Sequence, residues 1–102
     1  MTLDQQQKFF DETVMNLSNI LFSKGSDYAN KDRLSNFKLA GSICGITPQL
    51  NCLSLIATKV ARLGVLLNTD VIPNNESIQD SIKDLANYAL LLLMLLEDSK
   101  QI

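Results

Sequence analysis

Asn75-Glu76-Ser77-Ile78-Gln79-Asp80-Ser81-Ile82-Lys83-Asp84-Leu85-Ala86-Asn87-Tyr88 runs without a break into the apolar tail Ala89 to Leu96. At a helical period of about 100° per residue, Glu76, Asp80, Lys83 and Asn87 share one face. Ile78, Ile82, Leu85, Ala89 and Leu93 share the opposite one, which is the expected core stripe. Asp84 and Tyr88 fall on the shoulder of the charged side. Glu76, Asp80 and Asp84 recur at steps of four, so three carboxylates lie close together and repel by a few tenths of a kcal/mol per exposed pair. Solvent, a cation or basic side chains from a neighbouring helix must compensate them, and which of these does so bears directly on function.

Working outward, the chain has 102 residues, enough for one domain (1–102) with a single core. Hydrophobic residues make up 46% and aromatic residues only 6%, with two prolines and no tryptophan. That balance favours an all-α, aliphatic bundle over a sheet sandwich. The net charge of −2 argues against a partner made of nucleic-acid polymer, which calls for a basic surplus. Histidine is absent, so imidazole catalysis, histidine metal ligation and a histidine pH switch are excluded. Two cysteines, Cys44 and Cys52, are too few for a disulfide framework or a zinc site, and both are expected to be buried thiols in a reducing compartment. The N-terminus opens Met1-Thr2-Leu3-Asp4 rather than with a basic segment leading into an apolar run, and Ala89 to Leu96 is far short of the ~20 residues of a membrane span. The expectation is a cytoplasmic protein with no membrane partner.

Four helices are legible in chain order. Thr2-Leu3-Asp4-Gln5 has capping-box spacing, and Leu3, Phe10, Val14, Leu17 and Leu21 then recur at threes and fours. This predicts a first helix from about residue 3 to Ser23 or Lys24, with Gly25 as a left-handed cap. A polar stretch follows, residues 25–36, holding Tyr28, Lys31 and Arg33 beside Lys24. Connections of that length are usually functional or disordered, and this one has cations able to clamp a phosphate and an aromatic ring able to stack a base. Equally, Tyr28 closes the end of the bundle and Asp32 pairs with a neighbouring cation in solvent. Ser35 or Asn36 is the expected cap of a short helix, Phe37 to Cys44, closed by Gly45, with Phe37, Ala40, Ile43 and Cys44 as its apolar stripe. Thr47-Pro48 is a strong start signal for a helix ending at Leu67 before Asn68. Its expected core side is Leu53, Ile56, Val60, Leu63 and Leu67, with Lys59 and Arg62 projecting together elsewhere. The last helix is expected from Glu76, capped by Asn75, to Asp98. Its second half is apolar all round, which a small monomer can hardly bury, so a homo-oligomer through the C-terminal helix is expected.

Several carboxylate oxygens aimed at one spot are what a magnesium ion bridging phosphates needs. Glu76, Asp80 and Asp84 supply them from one helix. A solvated acidic face accounts for the same residues equally well.

Lys24-Gly25-x-Asp27-Tyr28-Ala29, then Asn36-Phe37, then Lys59-Val60-Ala61-Arg62-Leu63, then Glu76-Ser77-Ile78-x-Asp80-Ser81-x-x-Asp84-Leu85-Ala86-Asn87-Tyr88-Ala89 are the blocks that stand out. In that order, from about Phe9 to Leu96, they resemble a family of small phage and bacterial proteins grouped as a nucleotide-modification-associated domain. That family looks like a relative of the MazG-type all-α nucleoside triphosphate pyrophosphohydrolases. The resemblance implies a four-helix MazG-like bundle that associates through its helices. Its nucleotide pocket would be lined by the last helix, the helix before it and the Asp27-Tyr28 loop. MazG-type hydrolases are similar to one another in facing a Glu-Glu-x-x-Glu cluster with a Glu-x-x-Asp cluster. Here the facing helix has Lys59 and Arg62 and no acid between Leu50 and Leu67, so half of that metal cage is missing.

Three readings follow. In the first, the chain binds a phosphorylated nucleotide without turnover, as in phage-type sequestration of a nucleotide signal, and needs no cofactor. Lys59, Arg62 and one or more of Lys24, Lys31 and Arg33 would hold phosphates, and Tyr28 would stack the base. Asp27, Asn36, Asp80, Asp84, Asn87 and Tyr88 would complete the lining. In the second, Mg2+ held by Glu76, Asp80 and Asp84 drives pyrophosphate release from a nucleoside triphosphate. In the third, the chain is a protein-interaction bundle.

Overall fold

A computed structural model describes residues 1–26, 32–68 and 77–100, with no account of the side chains of residues 24–26. The described residues are all helical, with no strand: α1 Leu3–Ser26, α2 Ser35–Cys44, α3 Pro48–Leu67 and α4 Ile78–Asp98. They form two compact units, Met1–Arg33 and Leu34–Ile102.

The first unit is α1. Its start is the expected capping box: the Thr2 N–H donates to Gln5 Oε1 at 2.8 Å and the Gln5 N–H to Thr2 Oγ1 at 3.2 Å. The helix continues through Gly25 to Ser26, so Gly25 is not the left-handed cap its type suggested. Nothing in the local pattern forces the stop there, and a glycine is tolerated inside a helix at about 1 kcal/mol relative to alanine. Of the expected stripe, Leu17 and Leu21 are half-buried, whereas Leu3, Phe10 and Val14 are exposed.

In the second unit, α3 packs against both α2 and α4. The cap of α2 is Leu34, without a side-chain hydrogen bond, and not Ser35 or Asn36. Its end is as expected. Gly45 takes φ 71°, its N–H donates to the Ser42 carbonyl at 3.2 Å and the Ile46 N–H donates to the Gly41 carbonyl at 2.9 Å. This double return satisfies carbonyls that the helix end would otherwise orphan. The chain then restarts within two residues, because Thr47 Oγ1 accepts from the Leu50 N–H at 3.1 Å and Pro48 occupies the first turn. The corner is tight enough that a Cβ on Gly41 would stand 2.8 Å from the Ile46 carbonyl oxygen and 3.2 Å from the Thr47 carbonyl. Since those neighbours are backbone, Gly41→Ala should destabilise the unit by about 1–2 kcal/mol, measured by urea unfolding. A variant as stable as the parent would mean that the corner opens freely.

The core gathers Leu34, Phe37, Cys52 and Leu95, with Leu55, Ile56, Tyr88, Leu91 and Leu92 packed on it. Cys44 and Ile43 are exposed, so α2 turns Phe37 and Gly41 inward, not the stripe ending in Ile43 and Cys44. On α3 the buried residues are Cys52, Leu63 and Leu66, while Leu53, Val60 and Leu67 of the expected core side are exposed. The cap of α4 is Ser77, whose hydroxyl accepts from the Asp80 N–H at 3.0 Å; it displaces Asn75 because Ser77-x-x-Asp80 has the better cap spacing. The inward residues of α4 include Ser81, Asp84, Tyr88 and Leu95, and Ile82, Ala89 and Leu93 of the expected core stripe face outward. An ion pair of 2.9 Å between Lys38 and Asp98 ties α2 to the last turn of α4.

Candidate functional site

Two contacts fix how α3 and α4 run. Cys52 Sγ donates to the Tyr88 carbonyl at 3.4 Å, and Lys59 Nζ lies 3.1 Å from Asp84 Oδ2. As α3 advances by seven residues α4 retreats by four, so the helices are antiparallel. The Lys59–Asp84 pair also sets the level of its neighbours: three residues onward along α3 is Arg62, and three residues back along α4 is Ser81. A polar band therefore crosses the α3–α4 interface at the N-terminal end of α4, above an apolar floor centred on Cys52 and Leu95.

The band is well shielded. The Lys59 and Asp84 side chains are 18% and 21% exposed, and Ser81 is 0% exposed. Arg62 Nε and Asn87 Oδ1 are individually out of contact with solvent, and both residues take part in further interactions. A polar interface between helices needs partners for each buried group, and the Lys59–Asp84 pair meets that need with opposite charges. Burial pushes the Cys52 thiol up, which keeps it protonated as a donor to Tyr88 rather than a thiolate nucleophile.

Of the residues singled out in the sequence, the structure brings Lys59 and Asp84 into contact and sets Arg62 on the same inward stripe of α3. Asn87 and Tyr88 follow on α4, with Tyr88 packed on the core. Asp80 is exposed in the first turn of α4, one turn before the half-buried Asp84. Arg33 and Asn36 are exposed near the start of α2. Asp27, Tyr28, Lys31 and Glu76, and the side chain of Lys24, lie outside the described residues. Among the described residues no three histidine, cysteine, aspartate or glutamate side chains gather as a metal centre. Ser81 was not singled out. Its signal was available, since it lies three residues before Asp84 and seven before Tyr88, the spacing of one helix face.

No family model, curated protein or solved structure matches the chain.

Proposed function

We propose that the chain is a nucleotide-binding module that captures a phosphorylated nucleotide without turning it over. The observation that carries this reading is the shielded pairing of Lys59 with Asp84 across α3 and α4, with Arg62 on the same inward stripe. An ammonium and a guanidinium at one level of a partly dehydrated interface offer charge-assisted donors to phosphate oxygens. Asp84 supplies the complementary acceptor for ribose hydroxyls, and Ser81 and Asn87 add neutral donors and acceptors. In this reading no cofactor takes part. Asp84 is engaged by the Lys59 ammonium, which a metal ion would have to displace. Self-association through the C-terminal half of α4 belongs to the same reading, since Leu90, Leu93, Met94 and Leu96 stand exposed there. A sequestering protein of the phage type, working in the cytoplasm of a bacterial host, is the setting these properties fit.

Calorimetry and native mass spectrometry against linear and cyclic nucleotides test it. Saturable binding, intact ligand after denaturation and a loss of at least tenfold in affinity for Arg62→Ala are expected. Pyrophosphate release dependent on Mg2+ would establish the hydrolase instead, and no binding at millimolar ligand would leave a protein-interaction bundle.

A further inference from the structure

Lys59 Nζ already has an anion, Asp84 Oδ2 at 3.1 Å. The sequence of α3 holds no acid from Pro48 to Leu67, so the carboxylate that meets Lys59 in this contact comes from α4. Both residues belong to the second unit, on two helices that pack together, and their side chains are largely withdrawn from water. The α4 residues three positions before and three positions after Asp84 are neutral and buried: Ser81 and Asn87. A phosphate approaching Lys59 therefore meets a negative oxygen that is in contact with it beforehand.

Resting on the nucleotide-binding reading, we infer that this pair selects a ligand carrying a phosphate and a sugar hydroxyl on one molecule, a ribonucleotide, over a ligand carrying either group alone. The phosphate and Asp84 compete for one ammonium. When Lys59 turns to the phosphate, Asp84 Oδ2 loses the charged partner it has at 3.1 Å. When the ammonium, with its three N–H donors, serves both, two anions lie side by side on it. In either arrangement the carboxylate needs a new donor to stay in a shielded interface, because removing one member of such a pair costs far more than exchanging it. A ribose hydroxyl is that donor. An ionised carboxylate only accepts, and an O–H···O⁻ bond is among the short, strong ones.

Each half of the ligand fails by itself for a different reason. A nucleoside without phosphate offers hydroxyls to an oxygen that Lys59 engages, and gives Lys59 nothing in return. Pyrophosphate supplies the anion and leaves Asp84 without a donor. A ribonucleotide exchanges both partners together: Lys59 passes from carboxylate to phosphate, and Asp84 passes from ammonium to hydroxyl. A 2′,3′-dideoxynucleotide keeps the base and the phosphates and lacks the donors that Asp84 needs. Rejection of a ligand for a missing hydroxyl is the strong kind of discrimination, since the site's own acceptor is then left unsatisfied.

Calorimetry on the full chain tests this, with the four common ribonucleoside 5′-triphosphates, their 2′,3′-dideoxy counterparts and pyrophosphate as probes, and circular dichroism on the variant. The parent should bind at least one ribonucleotide, its dideoxy counterpart at least tenfold more weakly, and pyrophosphate more weakly still. Asp84→Asn removes the competing charge, so pyrophosphate should bind it at least tenfold more tightly than it binds the parent. In the same variant the preference for ribose over dideoxyribose should shrink to about threefold or less. A parent that binds ribonucleotides and dideoxynucleotides equally overturns the inference and leaves the nucleotide-binding reading standing. That comparison needs no substitution, so it decides the matter even where Asp84→Asn does not fold. A folded Asp84→Asn protein that keeps the full preference also overturns it. Absence of binding by every nucleotide removes the inference and the nucleotide-binding reading together.

Discussion

Leu95→Ala is expected to destabilise the second unit by about 3–4 kcal/mol, lowering its melting temperature by roughly 12–30 °C at fixed protein concentration. Leu95 is 2% exposed and belongs to the cluster with Leu34, Phe37 and Cys52. Its neighbours therefore come from the start of α2, from α3 and from α4 itself. Removing its side chain leaves a void bounded by three helices, and none of them can collapse inward without leaving the others. Leu93, two residues earlier, is 64% exposed and provides the control. Leu93→Ala should cost well under half as much in thermal or urea unfolding at low protein concentration. Equal losses at both positions would mean that the inward stripe of α4 is wrongly placed.

Asp84→Ala should cost about 2–3 kcal/mol, because it strands the Lys59 ammonium at a site where only 18% of that side chain reaches solvent. The value is set below that of a fully buried pair since both side chains keep some contact with water. Lys59→Met combined with Asp84→Leu should be less destabilising than Asp84→Ala alone, because two well-sized apolar groups need no compensation. A double-mutant cycle by urea unfolding isolates the coupling. Additive effects would show that the two groups do not sense each other. The same double substitution removes the charges on which nucleotide capture depends, so it separates stability from binding: a folded protein with no ligand affinity is the expected outcome.

Local punctuation was legible in the sequence because it depends on few atoms. The Thr2 and Gln5 box, the Gly45 stop, Thr47-Pro48 and the full span of α3 follow from residue types within four positions of each other. Facing was less legible. Both α3 and α4 have two apolar faces, and periodicity identifies the faces without saying which one the chain covers itself. On α4 the richer face, Ile82, Ala89 and Leu93, looks outward, while Ser81, at 0% exposed, looks inward. Small size explains that choice. Ser81 and Cys52, both at 0%, are slim residues that permit close approach of the helices they belong to. The resemblance implied that the helix of Lys59 and Arg62 faces that of Glu76, Asp80 and Asp84 without saying which base meets which acid, and the structure pairs Lys59 with Asp84.

The corner between α2 and α3 bears on the order in which the second unit assembles. Everything that shapes it, from the Gly41 carbonyl to the Leu50 amide, lies within ten residues, so this knuckle can form while the remainder of the chain is still searching. The closure of α4 spans much more chain: Cys52 and Tyr88, which meet beside the core, are 36 residues apart. A ready-made elbow presenting one face of α3 shortens that search to a single docking event, and the slow step of folding becomes the arrival of α4.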